Sequence, residues 1–372
     1  MTRMDDMDLD LLEVERAADD LRRGQPVVVQ DLDADGSPAL LILAAEFADE
    51  ATLTRFDALA ADSFILLTNN RAASLKVPGE DWPVVRLARP SWMRAADIVA
   101  LADPTLDLAT PLKGPFRRIS QPDSPLDRAA VKLAKWARLL PAVVAAEISG
   151  DPVELLVDEG LMTAVAADVL AADMRQASAL TEVASARVPL AGAENTRLVS
   201  FRPAAGGIEH IAIVIGDPSR QHPVLTRIHS ECFTGDLLGS LKCDCGEQLR
   251  GAIKSIEEAG GGVLLYLAQE GRGIGLISKL KAYALQDQGY DTVDANTRLG
   301  FDVDERIFAP AAEMLKQLGF TSVRLMTNNP NKVDGLGRFG IEVSERVAHA
   351  FEANPHNENY LATKKARTGH LL

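Results

Sequence analysis

The three cysteines of this chain all fall within one short stretch, as Cys232, Cys243 and Cys245, so any fold it adopts must turn that stretch back on itself. An odd count does not suit a disulfide framework, and one intervening residue makes a Cys243–Cys245 bridge severely strained. Zinc suits the set better. Two thiolates one residue apart can grip one ion where the backbone turns between them, and the third arrives from a neighbouring segment. Three thiolates leave one tetrahedral position open to two readings. A fourth protein ligand, for which His229 is the candidate, makes the site structural; a water makes it catalytic.

At 372 residues the chain can form two domains with separate cores. No apolar run approaches the roughly 20 residues that cross a bilayer. The N-terminus, Met-Thr-Arg-Met-Asp-Asp, lacks the basic-then-apolar order of a signal peptide. With unpaired cysteines, this sets the expectation of a reducing cytoplasm. The net charge of −14 argues against a nucleic-acid or membrane-surface binder. Residues 1–195 carry 32 acidic against 19 basic side chains, and residues 196–372 carry 21 against 20. The second half can therefore receive a small polyanion without an opposing field.

Periodicity in the first half predicts a helix over 9–23, strands over 26–29 and 39–43, a helix over 53–60 and a strand over 63–67. A helix over 126–140, a strand over 142–148 and a long helix over 161–180 follow. Histidine and cysteine are absent from this half, and its carboxylates read as scattered over surfaces.

The stretch Leu21-Arg-Arg-Gly24, Pro26-Val-Val-Val29, an acidic turn and Leu40-Leu-Ile-Leu43 resembles the opening of 3,4-dihydroxy-2-butanone 4-phosphate synthase, and 127–148 resembles its later part. That family carries an Arg-Glu-Asn-Glu-Gly-Asp run at the turn, where this chain has Asp33-Ala-Asp-Gly-Ser-Pro38. Its His-Thr-Glu-Ala stretch is also missing; Ser124-Pro-Leu-Asp127 stands near that place. The resemblance implies a degenerate domain with a packing or regulatory role.

Residues 181–196 lose periodicity around Pro189 and Gly192 and read as a linker, with domains over 1–190 and 191–372. Beyond it, strands are predicted over 197–201, 209–215, 224–228, 263–267 and 322–326. Helices are predicted over 246–258, 276–288 and 306–318. The turn Gly271-Arg-Gly-Ile-Gly275 lacks the Lys-Ser/Thr ending of a P-loop. It reads either as a tight strand-to-helix connection or as backbone N–H groups that receive phosphate.

Six motifs then occur in order: Arg227-Ile-His-Ser-Glu-Cys232, Cys243-Asp-Cys-Gly246, Gln269-Glu-Gly-Arg272, Lys281-Ala-Tyr283, Leu299-Gly-Phe-x-x-Asp304-Glu-Arg306 and Thr327-Asn-Asn-Pro330. Together they closely resemble GTP cyclohydrolase II across residues 197–372. The resemblance implies hydrolysis of GTP to 2,5-diamino-6-ribosylamino-4(3H)-pyrimidinone 5′-phosphate, formate and pyrophosphate, the first step toward riboflavin. It implies one Zn²⁺ per subunit on Cys232, Cys243 and Cys245, with water in the fourth position and His229 beside the site. Mg²⁺ would serve the triphosphate. Tyr283, Asp304 and Arg306 take the catalytic positions. Arg227, Ile228, His229, Ser230, Glu231, Gln248, Glu270, Gly271, Arg272, Thr292, Thr327 and Lys332 take the GTP-binding ones. Arg306 is either a nucleophile toward the α-phosphate or, as its permanent charge favours, a neutraliser of phosphate charge. Glu270 can accept from the guanine N1–H and 2-amino group, which adenine lacks.

The fold class expected is α/β (α+β) in two domains, an α/β synthase-like domain followed by a mixed-sheet cyclohydrolase domain with flanking helices. A cytoplasmic homodimer is expected, with a riboflavin-pathway partner for the first half as a further expectation. Two rival readings stand beside this one: a variant that opens the ring and keeps the formyl group, and a silent GTP-binding protein with structural zinc.

Overall fold

The computed structural model describes residues 6–34, 36–77, 82–148 and 151–351, with 355 and 367. Contacts divide the chain into two compact units, 1–172 with 277–304, and 173–276 with 305–372. The expected boundary at 190/191 falls just beyond a strand that ends at Arg187.

Seven strands build the first sheet: β1 (Val27–Gln30), β2 (Ala39–Ala44), β3 (Phe64–Thr68), β4 (Val84–Ala88), β5 (Arg118–Ile119), β6 (Ala142–Ile148) and β7 (Thr163–Val165). Their order is β5-β4-β3-β6-β2-β1-β7, antiparallel throughout except for the parallel β1–β7 pair. β2 and β3 are buried along their whole length, which explains why they read as unbroken apolar runs and not as alternating ones. The helices are α1 (Asp6–Arg22), α2 (Glu50–Leu59), α3 (Asn69–Ser74), α4 (Ala95–Ala102), α5 (Pro125–Trp136), α6 (Asp151–Asp158) and α7 (Ala166–Ser178). α5 opens with Pro125 and buries Leu126, Ala129, Ala130, Leu133 and Ala134 against β1, β2, β3 and β6 at helical spacing.

The predicted helix over 161–180 gives way at its start to β7, a three-residue edge strand too short to show a period. The carboxylates of this half are also not all surface groups. Asp127 takes both its oxygens to the Arg86 guanidinium at 2.7 Å, with both side chains buried. Arg86 also binds Glu147 and lies 4.4 Å from the centre of the Phe64 ring.

The second sheet is formed by β8 (Leu180–Arg187), β9 (Thr196–Pro203), β10 (His210–Gly216), β11 (Val224–Ser230), β12 (Gly261–Leu267), β13 (Ser322–Met326) and β14 (Glu342–Val347). Its order is β14-β13-β11-β12-β10-β9-β8. The first four of that order run parallel; β10, β9 and β8 continue antiparallel. The remaining helices are α8 (Cys245–Glu258), α9 (Gly275–Asp287), α10 (Thr292–Arg298), α11 (Ala309–Gln317) and α12 (Pro330–Arg338). Val263, Leu265 and Leu267 of β12 share one core with α11 and Leu336 of α12, whereas Leu264 joins Ala252 and Ile256 of α8 on the opposite face. Both sheets are mixed, as the expected α/β (α+β) class requires.

Two expectations are corrected here. Residues 180–187 are a strand, exposed everywhere except Leu180, so nothing apolar marked its period. The helix predicted from 306 starts at Ala309, which leaves Asp304 and Arg306 on irregular backbone. Among the described residues no helix is long and apolar enough to cross a membrane.

Replacing Asp127 with Ala removes the buried partner of Arg86 and leaves it only the exposed Glu147 carboxylate. Denaturant unfolding is expected to show a loss of about 3–5 kcal/mol. A loss below about 1 kcal/mol, the range of an exposed pair, would contradict the buried pairing.

Candidate metal centre

The four parallel strands end on one edge of the second sheet, where open sheets of this kind place ligands. The cysteine stretch leaves the end of β11, the Gln269–Gly275 turn leaves β12, and Thr327-Asn-Asn leaves β13. Chain order thus delivers separate motifs to neighbouring loops.

After β11 the chain makes a single widened helical turn, Phe233–Leu237, and returns to the start of α8. The turn puts Gly235 in the middle of the three thiols, whose sulfurs all lie within 4.8 Å of one another. A Cβ on Gly235 would meet the Cys243 sulfur at 2.8 Å, the Cys245 Cβ at 2.9 Å and the Cys232 sulfur at 3.0 Å. Only glycine fits this cradle. The Gly235 N–H donates to the Cys232 sulfur at 3.3 Å, and Cys245 begins α8, both of which favour a thiolate. Crowded together without a cation, the thiols resist ionising. The Cys243 thiol is pushed up to about 11, first by its hydrogen bond with Cys232 and then by burial. Cys245 is also raised by its two cysteine neighbours and burial. A soft divalent cation removes that conflict, and this donor set fits zinc.

His229, the candidate fourth ligand, is turned elsewhere. Its Nε2 lies 3.0 Å from both Asp236 oxygens. Asp236 also accepts from the Cys232 N–H and the Tyr266 hydroxyl, each at 3.0 Å. The carboxylate therefore ties the cysteine loop to β11 and β12. Burial, outweighing the opposing Asp236 contact, lowers the His229 pKa, which favours the neutral ring. A neutral ring facing a carboxylate carries its proton on Nε2 and leaves Nδ1 an acceptor. Among the described residues, no further His, Cys or carboxylate joins the three thiols.

Along β11 and just after β12, four buried polar atoms have no hydrogen-bond partner among the described residues: Arg227 Nε, His229 Nδ1, Ser230 Oγ and Gln269 Nε2. Unmet groups of this kind mark where a ligand belongs. Arg227 donates to the Met326 carbonyl at 2.9 Å and to Gln248, and burial draws its guanidinium down to about 10. Ile228 is wholly buried, and the Glu231 N–H donates to the Leu267 carbonyl. Lys332 is buried and donates to the Ile228 carbonyl at 2.8 Å. The Thr327 hydroxyl caps the turn before α12, accepting from the Asn329 N–H at 3.0 Å. Glu270 accepts from the Phe233 N–H at 2.6 Å and the Gly271 N–H at 2.9 Å, one on each oxygen. Gly271 and Arg272 both sit in the left-handed region, at φ 64° and 62°. For arginine that conformation costs roughly 1–2 kcal/mol and places local strain beside the site.

Arg306 lies in the same unit as the cysteines. Tyr283, Thr292 and Asp304 lie in segment 277–304, grouped with the first unit. There Lys279 stands 5.7 Å from the Tyr283 ring centre, and Thr292 opens α10 behind the Asp291 cap. The roles of Asp236 and Tyr266 were not evident from the sequence. Asp236 lies between the cysteines with no spacing that assigns it a role, and Tyr266 lies inside an apolar strand. The signal for Tyr266 is its register opposite His229 on β11, with ring centres 5.6 Å apart.

The family model for GTP cyclohydrolase II matches residues 181–348. The chain is 49% identical over 362 residues to GTP cyclohydrolase-2 of Azospirillum brasilense, covering 96% of this chain and 94% of that protein. It is 36% identical over an alignment of 404 residues to riboflavin biosynthesis protein RibBA of Phocaeicola vulgatus, covering 98% of each. A solved two-domain 3,4-dihydroxy-2-butanone 4-phosphate synthase from A. baumannii aligns with 90% of this chain and 99% of its own at 19% identity. Its TM-score of 0.35 is too low to carry an argument.

Gly235→Ala puts a methyl group among the sulfurs. Competition with a chromophoric chelator is expected to show zinc affinity lowered by at least about 10-fold, the least that a disturbed supporting shell costs. Unchanged affinity would contradict the cradle.

Proposed function

The chain belongs to the GTP cyclohydrolase II family, whose place is in riboflavin biosynthesis, and we propose that it opens the guanine imidazole ring with zinc held by Cys232, Cys243 and Cys245. The products are 2,5-diamino-6-ribosylamino-4(3H)-pyrimidinone 5′-phosphate, formate and pyrophosphate. One observation carries the reading: three thiols converge on a glycine cradle, and no fourth described His, Cys or carboxylate closes the set. When bound, zinc supplies the Lewis acidity that makes water nucleophilic at neutral pH.

The chain's own residues then bind and orient the nucleotide. Arg227, Arg272, Arg306 and Lys332 receive triphosphate charge together with Mg²⁺, and Thr292 and Thr327 add hydroxyl contacts. Glu270 accepts from the guanine N1–H and 2-amino group, a pair that adenine lacks. His229, Ser230 and Gln248 complete the pocket, along the β11 backbone from Ile228 to Glu231 and beside the Gly271 turn. His229 Nδ1 offers an acceptor beside the ring. Tyr283 orients the hydrated carbon through its phenol. Asp304 pairs with Arg306 at the phosphate end, where Arg306 neutralises charge. The first half, residues 1–190, is read as a synthase-like domain without its own chemistry. Asp127, standing near the lost His-Thr-Glu-Ala stretch, is occupied by Arg86. A cytoplasmic homodimer completes the reading.

Zinc-loaded protein given GTP and Mg²⁺ is expected to release formate and pyrophosphate. Cys243→Ser is expected to lower the rate by at least about 100-fold, comparable to losing a principal transition-state contact. Pyrophosphate without formate, with a formyl group retained in the product, would replace this reading with the ring-opening variant. No turnover would replace it with a silent binder.

A further inference from the structure

Residues 275–305 leave the second unit and return to it at nearly one point. The Glu305 N–H donates to the Arg272 carbonyl at 3.1 Å, closing the base of the excursion. Its body, 277–304, groups instead with the first unit, and two separate clamps hold it there.

The first clamp grips α9. Lys281 Nζ lies 2.8 Å from a Glu46 oxygen and 2.6 Å from an Asp103 oxygen, with all three side chains largely buried. Both carboxylates are fixed in place by other partners. Glu46 accepts from the Leu140 N–H at 2.6 Å, and Asp103 accepts from the Thr105 N–H at 2.9 Å. Lys281 therefore enters a socket that is built without it, and little side-chain freedom on the socket side is lost in forming the pair.

The second clamp grips the chain after α10. The Thr68 hydroxyl donates to the Gly300 carbonyl at 2.7 Å, and the Asn70 amide donates to the Phe301 carbonyl at 3.0 Å and to Asp302 at 3.1 Å. Gly300 has φ +89°, and a Cβ there would meet Pro141 Cγ at 2.8 Å and Thr68 Oγ1 at 2.9 Å. Pro141 and Thr68 thus leave no room for a side chain at position 300. Thr68 and Asn70 sit at the end of β3 and the start of α3, rigid elements of the first core.

Between and beside these clamps lie Tyr283, two residues after Lys281, then Thr292 and Asp304. We propose that the first half is a positioning platform for the cyclohydrolase reaction, with Glu46, Asp103, Thr68 and Asn70 fixing segment 277–304 and Lys281 as its principal anchor. This rests on the function proposed above for Tyr283 and Asp304. It gives the half that has lost its own acidic run a defined task. These are positioning residues: they act through the segment and do not touch GTP. Misplacement by about 1 Å can cost on the order of 100-fold in rate.

The test uses the full zinc-loaded chain with Lys281→Met, with the pair Glu46→Gln and Asp103→Asn, and with Thr68→Val as an independent break at the other clamp. Amide exchange in α9 and α10 is expected to speed up, while exchange in β11–β13 and zinc content stay as in the parent. kcat for formate release is expected to fall on the order of 100-fold in Lys281→Met, with KM for GTP changed by less than about 3-fold, and Lys281→Arg is expected to restore most of the rate. Unchanged exchange in the segment would overturn the clamps. Faster exchange with unchanged kcat would overturn the positioning role. A parent protein that never releases formate would instead overturn the reading of the site, while the exchange result would still report on the clamps.

Discussion

The thiols of Cys232, Cys243 and Cys245 converge around the space that a side chain on Gly235 would fill. Packed this closely and buried, Cys243 and Cys245 hold their protons, so the set requires a soft divalent cation before it ionises. Much of the surrounding architecture serves that requirement. The widened turn after β11 brings Cys232 back to the start of α8, where Cys243 and Cys245 arrive one residue apart. Asp236 fastens the turn to two adjacent strands through the Cys232 N–H, His229 and the Tyr266 hydroxyl. By taking the imidazole, the same carboxylate turns the nearest histidine away from the thiols. One carboxylate thus shapes the loop and holds the histidine away from the thiols.

The substrate side follows from strand direction. Because β11, β12 and β13 run parallel, their following loops share an edge, and motifs far apart in sequence become neighbours. Arg227, His229, Ser230 and Gln269 keep unmet polar atoms in a buried setting, a cost that a nucleotide can offset. Arg272 adds strain in the adjoining turn. Polar groups left unsatisfied and backbone left strained, all near one metal cradle, are what a preorganised binding site costs its fold.

The convergence of Cys232, Cys243 and Cys245 was legible because thiol chemistry depends on residue type and spacing. The apolar strands were legible because burial on both faces removes ambiguity. Other features were hidden for definite reasons. β8 is an exposed edge strand, so its sequence carries no apolar period. Tyr266 reads as one more core residue until the β11–β12 register sets it opposite His229. Asp127 looks like a helix-start carboxylate until Arg86 arrives from a strand 41 positions earlier. Segment 277–304 carries family motifs, yet it takes its packing from residues more than a hundred positions away, and no local pattern announces that. Long-range pairing of this kind is the information that periodicity and spacing do not contain.

The open fourth position at the cysteine cluster is the central claim. X-ray absorption at the zinc edge of the loaded, substrate-free protein tests it most directly. Three sulfur scatterers with one oxygen, and no imidazole multiple scattering, is the result expected. An imidazole signature, or a fourth sulfur, would mean a closed structural site and would contradict the account.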